Sequence, residues 1–64
     1  MRHTELWARM EAALGPAYVR TWASEHVVRG LEQRTVMQAL DAGWDAKTVW
    51  RAVWEELELP PRDR

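Results

Sequence analysis

Apolar residues recur every three to four positions along most of the chain, with glycine or proline between the runs. This pattern predicts four short α-helices and no strand. In the first helix Leu6, Trp7, Met10, Ala13 and Leu14 share one side. Thr4 is placed to cap it, Glu5 suits the positive end of the helix dipole, and Glu5 and Arg9 stand four apart in the favourable order for an ion pair. Gly15 closes the helix, and Pro16, directly behind it, suits the first turn of the next. A second helix carries Tyr18, Val19, Trp22, Ala23, His26 and Val27 on its apolar side and is expected to end near Gly30. Residues 31–34 then read as a connector.

The clearest signals lie between Arg34 and Leu57. Thr35 and Gln38 have the spacing of a capping box, so a third helix starts at Val36, with Val36, Met37, Ala39 and Leu40 giving its apolar side. Gly43 offers the left-handed backbone that ends helices, and Trp44 beyond it is expected to pack back over Ala39 or Leu40. Asp45 caps the fourth helix. There Val49, Val53 and Leu57 form one ridge and Trp50 and Trp54 another, a stripe wide enough to make this helix central. Lys47, Thr48, Arg51, Glu55, Glu56 and Glu58 fall on its solvent side. Pro60 and Pro61 forbid continuation and leave Arg62, Asp63 and Arg64 as a polar end. The expected architecture is an all-α, single-domain bundle of four short helices over residues 1–59, its C-terminal pair helix-turn-helix-like, with a flexible polar tail at 60–64.

Size tightens this picture. A chain of 64 residues buries only about 60% of the surface its unfolded form exposes. Five tryptophans offset that, each ring removing about 150–250 Å² from water. With no cysteine there is no disulfide, thiolate metal site or thiol nucleophile. The formal net charge of -1, without a block of like charge, argues against bulk nucleic acid or an anionic membrane as partner. No apolar run has the length of a membrane span or forms a signal-peptide core. The expectation is a complete cytoplasmic protein.

Candidate chemistry is sparse. His3 and His26 share no short metal spacing with each other or with paired carboxylates, and His26, on or beside an apolar stripe, reads as core or boundary packing rather than a ligand. Asp41 and Asp45 are separated by the Gly43 turn, and Asp45 already has a capping duty, so they make a poor general acid and base. No serine or threonine has a partner at nucleophile-motif spacing, and there is no glycine-rich phosphate loop. The expectation is a non-enzyme without cofactor, metal or small-molecule substrate.

Two binding readings compete. Ala39, Gly43 and Val49 have the order of small residue, turn glycine and buried branched residue found in DNA-reading helix pairs, which would aim Asp45 to Thr48 at base edges. Lys47 and Arg51 are the only cations there, against Asp45, Glu55, Glu56 and Glu58, whereas phosphate attraction dominates DNA affinity. The favoured reading is a protein-interaction adaptor or regulator, because a similar turn before the last helix presents a partner patch in ubiquitin-associated-like domains. Its candidate surface is Arg34, Trp44, Lys47, Trp50, Arg51 and Trp54, tryptophan and arginine being the usual interface anchors. The competing and favoured reading of Trp44, Trp50 and Trp54 is that all three rings are core. Arg51 is placed to pair with Glu55, and Arg34 to cap the last carbonyls of a neighbouring helix.

The segments MRHTELWARME, GPAY, RTVMQALDAG and VWRAV, with a proline a few residues later, resemble a short actinobacterial family of unknown function (DUF3046-like). The likeness covers essentially the whole chain. The family is often encoded beside the recombinase RecA and its regulator RecX, so the resemblance implies a loose tie to DNA repair and no catalytic residue. Departures are Glu32 and Gln33, where the family usually has glycines, Ala46, where it often has proline, and Trp54, where cysteine is common.

Overall fold

A computed structural model describes residues 1–64. Four α-helices are present: α1 (His3–Leu14), α2 (Val19–Glu25), α3 (Val36–Asp41) and α4 (Ala46–Glu56), with 3₁₀ turns at Arg29–Leu31 and Pro61–Asp63. No strand forms. Leu6 and Met10 of α1, Val19, Trp22 and Ala23 of α2, Val36 and Ala39 of α3, and Ala46, Val49, Trp50, Ala52 and Val53 of α4 meet in one buried core. The core is completed by Val28 and Leu31 from the segment between α2 and α3.

The α3–α4 corner follows its local signals. Thr35 Oγ1 accepts the Gln38 N–H at 3.1 Å while Gln38 Oε1 accepts the Thr35 N–H at 2.9 Å. At the other end Gly43 has φ +94°, its N–H donates to Leu40 O, and the Trp44 N–H donates to Ala39 O at 3.0 Å. That pair of bonds satisfies carbonyls the helix end would leave open and turns Trp44 onto the core. Asp45 then caps α4, accepting the Thr48 N–H at 3.1 Å and the Thr48 hydroxyl at 2.6 Å.

Elsewhere the backbone departs from expectation. Helix α1 starts at His3 with Arg2 as its cap and no side-chain hydrogen bond, so Thr4 lies inside the helix rather than capping it. Tyr18 precedes α2 and is exposed, not part of its apolar face, and Met37 is exposed on α3. Helix α2 stops at Glu25, five residues short of Gly30. His26 is extended (φ -82°, ψ 119°), and the branched Val27 and Val28 favour extended backbone over helix. The Val28 N–H then donates to Arg34 O at 2.9 Å, an isolated antiparallel bridge that closes a loop around the Arg29–Leu31 turn. Gly30 is thus no helix end. It lies against α4, where a Cβ would stand 3.0 Å from Ala52 Cβ.

Three non-glycine residues take left-handed backbone: Glu32 (φ +56°), Gln33 (φ +64°) and Glu58 (φ +53°). The first two are the positions where the resemblance implied glycine, which adopts this conformation without a Cβ clash. Glu58 ends α4 as Gly43 ends α3, with the Leu59 N–H reaching back to Trp54 O at 3.1 Å. Gln33 is exposed and its side chain makes no hydrogen bond, so Gln33→Gly is expected to raise the unfolding free energy by about 1 kcal/mol, read from urea denaturation.

The expected free tail is instead folded back. Trp50 Nε1 donates to Asp63 O at 3.0 Å and to Arg64 O at 3.2 Å, and Trp54 Nε1 donates to Pro60 O at 2.9 Å. Two indole N–H groups that need partners find them in the carbonyls of Pro60, Asp63 and Arg64.

Candidate functional site

The six candidate surface residues separate into a structural set and an exposed pair. Trp50 is only 2% exposed and belongs to the core. Trp44 and Trp54 are half-buried against it. Arg34 lies 5.8 Å over the Trp44 ring, donates to Leu31 O at 3.4 Å and pairs with Glu32 at 3.0 Å. It caps the Arg29–Leu31 turn rather than an α-helix. Lys47 and Arg51 remain exposed one turn apart on α4 with no ion pair or hydrogen bond, and the expected Arg51–Glu55 pair is not formed.

The arginines are arranged over the tryptophans in a way the sequence did not announce. Arg20 lies 5.6 Å from the Trp7 ring, Arg9 5.8 Å from Trp50 and Arg64 5.5 Å from Trp54. The fifth indole, Trp22, is stacked by His26 at 4.8 Å and an interplanar angle of 12°. Each exposed cation–π contact is worth about 0.5–1 kcal/mol. Every indole therefore has a cation or an imidazole on it. The four arginine pairs join residues ten or more apart in the chain, so no helical spacing could have revealed them, whereas Trp22 and His26 stand four apart.

The exposed cations converge beside this shell. Lys47 and Arg51 line an open groove of about 630 Å³ with Met1, Glu5, Arg9, Trp50 and Arg64. Glu5 there pairs with Arg9 at 3.5 Å, as expected. A second groove of about 560 Å³ adjoins it and adds Ala12, Ala13, Leu59, Arg62 and Asp63. Arg9, Arg62 and Arg64 belong to this surface and were missing from the sequence-derived set.

The far side of α4 is acidic. Glu55, Glu56 and Glu58 line a groove with Arg29, Gly30 and Ala52. His26 packs at the boundary, stacked on the buried Trp22, and also donates from Nε2 to Glu56 Oε2 at 3.0 Å, tying the end of α2 to the end of α4. This hydrogen bond holds the Glu56 carboxyl below its ordinary pKa, against the opposing effect of burial and with help from the Arg29 N–H. At Asp45 the Thr48 hydroxyl, then the Thr48 N–H, act in the same direction. Both carboxyls titrate lower when folded, so their stabilisation is complete above the ordinary carboxylate range and fades as pH falls through the lowered values. Melting temperature is expected to drop on that acid limb, and to drop less steeply in Glu56→Gln with Asp45→Asn.

The fold and this surface define a small all-α domain with an aliphatic core that buries two tryptophans and carries three more against it, and with a helix-turn-helix-like C-terminal pair. The chain belongs to the family described as Protein of unknown function (DUF3046), whose model matches residues 1–62. No curated protein and no solved structure matches it significantly. No helix is long and apolar enough to cross a membrane.

Proposed function

We infer that this chain is a non-catalytic protein-interaction module, an adaptor or regulator, that meets its partner through the exposed face of α4 and the grooves beside it. One observation carries the reading: Lys47 and Arg51 stand side by side with no intramolecular partner, while the aromatic residues around them are committed to the fold. Arg34 belongs to the structural group. Arg34→Ala is expected to lower the melting temperature without changing recovery of a native partner from cell extract. Lys47→Glu with Arg51→Glu is expected to do the reverse, and loss of stability with undiminished recovery would refute the assignment.

The same two cations favour DNA binding as the second reading, because they sit on the second helix of a helix-turn-helix-like pair. Duplex binding at low ionic strength that weakens with added salt, together with no protein recovered, would replace the first reading by this one.

A further inference from the structure

We propose that the furrow between α1 and α4 receives an acidic amphipathic segment of a partner protein, a proposal that rests on the protein-interaction reading above. The two grooves beside α4 share Arg9, Trp50 and Arg64 and form one surface. Five cationic side chains line it, Arg9, Lys47, Arg51, Arg62 and Arg64, against Glu5 and Asp63. The chain as a whole carries -1, so this excess is local, and the balancing acid lies partly across α4 at Glu55, Glu56 and Glu58. Carboxylates suit such a lining, since arginine holds them with paired, charge-assisted hydrogen bonds.

Charge is only half of the fit. Ala12, Ala13 and Leu59 make one end of the furrow apolar, so its best occupant alternates carboxylates with an aliphatic side chain. From Glu5 to Ala13 the α1 wall runs about 12 Å at 1.5 Å per residue, a length for a stretch of polypeptide rather than a small molecule. Single-stranded nucleic acid matches less well, because its bases need free aromatic faces. Here Arg9 covers the Trp50 ring, Arg64 covers Trp54, and both indole N–H groups are already bonded to the chain end.

The test is a titration of isotope-labelled full-length protein, read by nuclear magnetic resonance. The three probes are a helical glutamate–leucine peptide, a glutamate peptide of equal charge without leucine, and a short DNA duplex. The expected result is movement of the Trp50 indole N–H and of the Ala12, Ala13, Lys47 and Arg51 amides with the first peptide. The leucine-free peptide is expected to bind at least about tenfold more weakly, since burying one leucine is worth at least that factor. Lys47→Glu with Arg51→Glu, expected to leave melting unchanged, should weaken the first peptide by a similar factor. Equal binding of both peptides, shifts confined to other surfaces, or duplex binding tighter than the peptide at the same salt would each overturn the proposal. Recovery of a native partner that is indifferent to these charge reversals would remove this furrow as the site yet leave the protein-interaction reading standing. Recovery of no protein would remove both.

Discussion

Trp50→Ala is expected to leave the protein largely unfolded. Truncating a buried tryptophan costs about 3–5 kcal/mol, through lost transfer of the ring and the cavity left behind. A domain of this length holds about 3–10 kcal/mol in total at the usual stability per residue. Trp50 also ties down the chain end through Asp63 and Arg64 and carries Arg9 on its ring, so three contacts disappear with one side chain. Trp50→Phe separates these effects, because most of the burial survives while the N–H is lost. Its expected cost is about 1–3 kcal/mol, and circular dichroism with thermal melting distinguishes the two variants.

Gly30→Val is the second large effect, and its cause is space. Gly30 does not have positive φ, and the side that a Cβ would occupy already holds Ala52, with Cβ at 3.0 Å and Cα at 3.4 Å. Ala52 has no flexible end to withdraw, and moving α4 would disturb Val49 and Val53, both fully buried. Overpacking of this kind costs about 1–3 kcal/mol. The accompanying Ala52→Gly change costs about 0.5–1 kcal/mol alone as a helix-interior glycine. Combined with Gly30→Val it should lose less than the two separate losses together, because it removes the colliding atom. Urea unfolding of both single variants and the double gives that coupling directly, and simple additivity would show that the close approach is not the cause.

What could be read from the chain was what is encoded locally. The Thr35–Gln38 box, the Gly43 ending and the Asp45 cap each lie within a few residues, and the structure forms all three. The segment from His26 to Arg34 was misread because its shape depends on distant partners. Val28 pairs with Arg34, Gly30 packs on Ala52, and Leu31, taken for a connector, is fully buried. The left-handed turn at Glu58 uses no glycine and so gave no signal, and at Glu32 and Gln33 the only hint was the pair of glycines that the resemblance implied. At the candidate surface, the exposure of Lys47 and Arg51 followed from the stripe on α4. The commitment of Trp50 to the core was the favoured reading of that wide stripe, though the stripe alone also suits a patch. The gathering of Arg9, Arg62 and Arg64 did not follow, since only the packing of α1 and the chain end against α4 brings it about.

In the proposed reading the tryptophans belong to the fold and recognition falls to the cations beside them. Hydrogen exchange at the five indole N–H groups tests this most directly, with Trp50 as the reporter. Trp50 should be strongly protected and lose that protection when residues 60–64 are removed, because Asp63 and Arg64 supply its acceptors. Rapid exchange of the Trp50 indole in the intact chain would place that ring at the surface and contradict the account.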